Sequence, residues 1–531
     1  MNDSQITGQD LIDAGYPSGP IIGEMLKAAA VHQAKGITDK KYLLKLLKRD
    51  FDLPPPKQSL RETPAPLTEA IEATNDLEKK NVSAVRRYMH DLLKVPIIQR
   101  GAVMPDACPA GSATATIPVG GAIAVENAII PSAHSADICC SMFATVFASN
   151  HSIEEKLDSL IASTRFGVGG RKPDDLVHHP VIDEHVWDNP FLKDLKHYAE
   201  IHMADQGDGN HFAYLGKIVA DEKLIASLEN GGQSKIASAL RNHLDQNSAQ
   251  SGELKVLVTH HGSRGLGARL YKRGQQAALK QTERAAQGIP KAAAWIDYNT
   301  DQGAAYWDAL QYVGRWTRAN HESIHRRFLE RIDTPALTDF GNEHNFVWKR
   351  GENLFLHGKG ATPAWNDPSG NPLLGLIPLN MAAPILLVLG HDNEDYLSFA
   401  PHGAGRNQSR TATMKPFRNK DGTLDEEAVA RTVADSTKEI AVRWFYGKPD
   451  LSETPVAYKS ADQVKAQIQQ FNLADVIAEI EPLGCIMAGD PGPRPWQKEK
   501  PLTPKQKRQL QHRAERRRVR QDLGSRDWEE A

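Results

Sequence analysis

The strongest constraint on this chain is the scatter of its reactive side chains. Asp137-Ile-Cys-Cys140, Asn210-His211, His260-His-Gly-Ser-Arg-Gly265, His344-Asn345 and His402-Gly-Ala-Gly-Arg406 lie far apart in sequence, so a fold that uses them together has to gather distant segments around one small volume. The His402 run suits attack on a phosphate: small residues let backbone N–H groups approach the phosphate oxygens, and a guanidinium pairs with them. Attack through nitrogen leaves a phosphoramidate, which can pass a nucleotide to a second acceptor, the logic of nucleophilic catalysis in a ligase. A carboxylate three residues before a thiol can present both side chains to one volume, and three dispersed histidines can complete the coordination of two ions. Mixed O, N and S donors leave Mn, Fe, Co and Zn open on softness alone. Each motif alone reads as structural, whereas the set reads as a site.

A chain of 531 residues holds one large catalytic domain with room for small appendages. No apolar run approaches the roughly 20 residues needed to span a bilayer. The start, Met1-Asn-Asp-Ser-Gln5, lacks a basic region followed by an apolar one, so the expectation is a cytoplasmic protein with no membrane partner. The four cysteines, Cys108, Cys139, Cys140 and Cys485, are too few and too badly spaced for a disulfide framework. Reduced thiols are also what a thiolate ligand requires.

Apolar runs such as Lys255–Thr259 and Pro384–Leu389 read as strands ending beside motif residues, and Thr432–Tyr446 and Ser460–Ile480 read as helices. Near the start, Gly15-Tyr-Pro-Ser-Gly-Pro-Ile-Ile-Gly23 leads into a helix over Glu24–Ala30, and Lys40–Arg49 reads as a second. Pro54-Pro-Pro56, Pro64 and Pro66 then make a stiff linker. The Gly-x-Pro-x-Gly-Pro entry resembles a small helical element of some tRNA-processing nucleotidyltransferases; a plain packing appendage is the alternative. Between Lys498 and Arg520 ten Lys or Arg face only Glu499 and Glu515, so a net charge of −2 hides an acidic remainder. Thr503-Pro-Lys-Gln506 reads as a helix start and Gly524 as its stop, giving a basic helix that projects into solvent or lies along phosphates.

Met104-Pro-Asp106, Asp137-x-x-Cys140, Gly209-Asn-His-Phe212, His260-x-Gly-Ser-Arg-Gly265, His344-Asn345, Lys359-Gly-Ala361, His402-Gly-Ala-Gly-Arg406 and Ala457-Tyr-Lys459 occur in an order and spacing that resemble the RtcB family. The resemblance runs from about Val95 to Gly489. It implies an α+β fold, with one large catalytic domain of mixed sheets over 95–489. The remainder divides into a small helical module over 1–60, a linker and lead-in helix over 61–94 and a basic helical tail over 490–531. It also implies an enzyme that joins an RNA 3′-phosphate or 2′,3′-cyclic phosphate end to a 5′-hydroxyl end, in RNA repair or splicing, using GTP and two Mn²⁺ ions. Under it Asp137, Cys140, His211, His260 and His344 hold the metals, with Cys140 bridging them. His402 becomes guanylylated, and Asn210, Phe212, Arg264, Asn345, Lys359, Gly403, Ala404, Gly405, Arg406 and Arg410 bind nucleotide and phosphates.

Departures from the family cluster at the purine. Where the family has Asn-His-Phe-x-Glu, with the Glu reading guanine, this chain has Tyr214; an expected serine is Ile385, and the Ile-Pro-Gly-Ser run reads Ile377-Pro-Leu-Asn380. The expected C-terminal lysine is absent from Cys485-Ile-Met-Ala-Gly489, and Cys108 stands where the family has histidine. Phosphate and metal machinery is kept while base recognition is rewritten. The alternatives are therefore ATP use or altered nucleotide preference, the cyclic-phosphate opening step alone, and a non-ligating protein that binds RNA ends.

Overall fold

A computed structural model describes residues 6–16, 19–52, 57–110, 115–167, 169–247, 252–419 and 424–490. The basic tail helix and the Pro54–Pro56 part of the linker lie outside them. Apolar runs rich in Val, Ile, Leu and Phe build two large sheets. The eight-stranded sheet runs Leu374–Pro378, Ile385–Gly390, Ala474–Met487, Phe212–Val219, Glu253–His261, Ser141–Phe147 and Ala336–Glu343, all antiparallel, with Ala441–Trp444 added in parallel to the end of Ala474–Met487. A five-stranded sheet runs Leu67–Glu69, Ile98–Cys108, Val119–Glu126, Leu354–Lys359 and Asn345–Lys349. The lead-in helix Asp76–Leu92 buries Val82, Val85, Met89 and Leu92 in the same core cluster as Ile98, Ile123 and Val125 of this second sheet.

Strand Ser141–Phe147 is buried at every residue. Its outer cover is the 31-residue helix Asp301–Arg331, capped at its start by Thr300 and burying Trp316, Tyr312 and Phe328 in the main core. No described helix is long and apolar enough to cross a membrane. At the other end, helices Gly8–Asp13, Pro20–Ala34 and Lys40–Asp50 close around Leu11, Met25, Leu43 and Leu47.

The strands expected at Lys255–Thr259 and Pro384–Leu389 are present, but two expected helices stop early. The first is Glu426–Ser436, followed by strand Ala441–Trp444; the second is Ala461–Gln470, followed by strand Ala474–Met487. Asn472 adopts a positive φ of 52° just past the second helix, a left-handed stop that asparagine tolerates. Beyond each stop, Val442 and Trp444, and Val476 and Ile480, satisfy the sheet's pairing, which outweighs local helical periodicity.

Because the three N-terminal helices share a core of their own, Leu43→Asp should unfold that module alone. Limited proteolysis should then trim the chain near residue 52, while the main melting transition stays within about 2 °C of the parent.

Candidate active site

Four adjacent strands of the large sheet bring the candidate ligands together at one edge. His211 precedes strand Phe212–Val219, His260 lies near the end of Glu253–His261, Cys140 precedes Ser141–Phe147 and His344 follows Ala336–Glu343. Their register pairs Phe212 and Met142 with His260, and Ser141 with Glu343. Cys139 takes a positive φ of 58°. That turn sends its thiol into the main core and leaves Asp137 and Cys140 facing the other ligands.

Two groups form, Cys140 with His260 and His344, and Asp137 with Cys140 and His211, and Cys140 belongs to both. His260 Nε2 is 3.2 Å from Cys140 Sγ and 3.2 Å from His344 Nε2; His211 Nε2 is 2.9 Å from Asp137 Oδ2 and 3.6 Å from the same sulfur. His344 Nδ1 is buried without a hydrogen-bond partner. Burial pushes His260 down to about 3 and His344 well below its ordinary value, so both stay neutral, as ligands must. Burial, with Asp137 beside it, pushes the Cys140 thiol well up. Burial also raises the Asp137 carboxyl, yet His211 and Arg264 together hold it below the usual carboxylate range. Neutral imidazoles, a carboxylate and a thiol that a cation would deprotonate fit a pair of divalent ions.

His402 stands beside this cluster, its ring 4.9 Å from that of His344. The fully buried Asp106 accepts from His402 Nδ1 at 2.5 Å and from its backbone N–H at 3.2 Å. An imidazole that donates through Nδ1 carries its lone pair on Nε2. Two glycines make this approach possible. A Cβ on Gly405 (φ 72°) would sit 1.9 Å from the Asp106 carbonyl oxygen, and one on Gly360 (φ 64°) 2.7 Å from the His402 ring.

A cavity of about 290 Å³ joins His402 and the ligand cluster to Asn210, Asn345, Lys359 and the Gly403–Arg406 turn. Asn345 Oδ1 accepts from Gly360 N at 2.7 Å and shapes the turn after Lys359. Lys359 donates to the Ile117 carbonyl at 3.2 Å, and burial pushes its ammonium down to about 8. Arg406 and Arg410 share one buried carboxylate: Arg406 donates to Glu453 Oε2 at 2.6 Å and to Ser452 O at 2.5 Å, while Arg410 pairs with Oε1. Arg410 does not line that cavity, and neither does Arg264. Arg264 donates to His211 Nδ1 at 3.3 Å and lies 4.0 Å from Asp205, so it stands behind a ligand.

Part of the cavity lining is apolar, formed by Phe212, Tyr214, Met381, Ile385, Cys485 and Met487. Tyr214 is turned so that its hydroxyl donates to the Ile480 carbonyl at 2.9 Å, leaving its ring to the cavity. Sequence reasoning gave no role to Asp106, although its motif was visible. Glu453 it missed, because a carboxylate far along the chain from its arginines leaves no local pattern.

A family model described as tRNA-splicing ligase RtcB matches residues 184–488. The chain is 25% identical over 427 residues to the RNA-splicing ligase RtcB of Escherichia coli strain K12, covering 76% of this chain and 93% of that protein. It is 24% identical over 442 residues to the tRNA-splicing ligase RtcB of Thermococcus kodakarensis, covering 72% and 86%.

The two ligand groups share only Cys140, so metal content separates them. After Mn²⁺ loading, elemental analysis should find about two equivalents in the parent, about one in His344→Ala and almost none in Cys140→Ala. Lys359 supplies the second expectation. Its charged form exists below about pH 8, so the fraction charged, and with it triphosphate affinity, should fall about tenfold from pH 7 to pH 9. Equilibrium dialysis should show that fall flattened in Lys359→Arg.

Proposed function

The chain belongs to the RtcB family, and from that premise we propose that it is a metal-dependent RNA ligase that carries the nucleotide on His402. The observation that carries the reading is the Asp106–His402 contact at 2.5 Å beside the shared-cysteine cluster. It supports an imidazole held in one tautomer, with Nε2 as nucleophile, next to a site fit for cations.

Asp106 accepts the Nδ1 proton, and His402 Nε2 attacks the α-phosphate of a nucleoside triphosphate; the P–N bond forms as pyrophosphate leaves. Lys359, Arg406 and Arg410 pair with the phosphate oxygens and orient them. An RNA 3′-phosphate oxygen then attacks the same phosphorus, releasing His402 and capping the RNA end with the nucleotide. A 2′,3′-cyclic phosphate is first opened by water. Finally a 5′-hydroxyl attacks the RNA 3′-phosphate, and nucleoside monophosphate departs as the strand closes. Asp137, Cys140, His211, His260 and His344 would hold divalent ions, which we take to be Mn²⁺, and these would supply positive charge to the crowded phosphate oxygens. A retired end-binding protein would have no need of this complete ligand set beside an oriented histidine.

The family's nucleotide is GTP, and the base end supports a looser choice here. A pocket of apolar side chains and a phenol already committed to Ile480 stacks a purine without pairing to its edge. Both GTP and ATP should therefore label the protein.

Incubation with Mn²⁺ and α-labelled GTP or ATP should label the parent with both nucleotides to within about tenfold, and His402→Ala with neither. Sealing of a 3′-phosphate/5′-hydroxyl RNA nick should be lost in the same variant. Labelling of His402→Ala would overturn the nucleophile. A preference for GTP by several orders of magnitude would overturn the loosened base reading.

A further inference from the structure

Behind the ligand cluster, on the opposite face of the sheet, lies a second set of buried polar groups that the reaction does not use. Side chains alternate along a strand, so Cys140 and His260 face the cavity while Ser141, Thr145, Thr259 and His261 face helix Asp301–Arg331. That helix meets them with His321 and His325, four residues apart on one face. Thr145 Oγ1 is 2.7 Å from His325 Nδ1, His325 Nε2 is 2.8 Å from Thr259 Oγ1, Thr259 Oγ1 is 2.6 Å from His321 Nδ1, and His321 Nε2 is 3.0 Å from Ser141 Oγ. Ser141 Oγ then reaches the His261 carbonyl at 3.5 Å, and the His261 ring stacks on His321 at 3.5 Å.

Thr145 donates at one end, the His261 carbonyl accepts at the other, and each hydroxyl and neutral imidazole between them donates once and accepts once, so the five groups form one unbroken, directional chain. Burial holds both imidazoles neutral: His325 is pushed down to about 3, and His321 well below its ordinary value. The chain touches Ser141, which follows Cys140, and both Thr259 and His261, which flank His260. Apolar packing would join helix to sheet as firmly but tolerates sliding; hydrogen bonds fix position and angle.

We propose that His321, linked through Thr259 to His325, is a positioning residue for the metal cluster, setting from behind the spacing of the strands that carry Cys140 and His260. The proposal rests on reading that cluster as a divalent-metal site.

The test is Mn²⁺ titration calorimetry of the metal-free full-length protein, with the melting temperature of the same metal-free samples. Thr259→Val keeps the shape and removes the central hydroxyl, and His321→Leu removes the imidazole. Each should weaken Mn²⁺ binding on the order of tenfold, with metal-free melting shifted by no more than about 3 °C in Thr259→Val. Thr259→Ser, which restores the hydroxyl, should recover the affinity. If His321→Leu does not fold, Thr259→Val and Thr259→Ser decide. Unchanged Mn²⁺ affinity in a folded Thr259→Val protein overturns the proposal, as does a loss that Thr259→Ser fails to rescue. A parent that binds no Mn²⁺ would instead sink the metal reading itself.

Discussion

Two neutral imidazole nitrogens and a thiol sulfur meet at 3.2 Å in the interior, at the ends of paired strands. Burying polar groups whose hydrogen-bonding capacity is not met is costly. The cost is tolerable where a cation draws the facing lone pairs inward, and the rest of the architecture follows from holding them there. Strand register sets which residues come together, the left-handed turn at Cys139 rotates its neighbour inward, and helix Asp301–Arg331 braces the opposite face.

From that anchor one cavity joins polar and apolar groups. Beside the ligands stands His402, held by its carboxylate partner. Lys359 and Arg406 line the same cavity, as do Met381, Ile385 and Met487 and the ring of Phe212, 5.2 Å from that of His260. Among the polar lining residues Cys108 departs from the family pattern, and among the apolar ones Tyr214 and Ile385 depart from it together. Glutamate replaced by tyrosine loses its charge, and the new hydroxyl is turned into the sheet backbone, so nothing at that position imitates the acceptor it replaced.

Much of this was legible beforehand because chemistry-bearing motifs are short and their residue types are specific. The ligand candidates and His402 were named from sequence, and the structure gathers them. Secondary structure was read less well where two signals compete. Thr432–Tyr446 and Ser460–Ile480 each carry a helical start and then a strand-forming stretch, and only the neighbouring strands decide where one gives way to the other. The roles of Asp106 and Glu453 were hidden for a related reason: each acts on a residue hundreds or dozens of positions away, and no spacing within the chain encodes that contact.

The carboxylate of Glu453 gives Arg406 and Arg410 a resident counter-ion. It is buried between their two guanidiniums, so under the proposed function a triphosphate would not fill a vacant positive field. It would enter by ion exchange, taking over bonds that the protein already satisfies. Such an arrangement would hold an anion less tightly than bare arginines, keep the cationic arms ordered when empty and release the anion as Glu453 recaptures them.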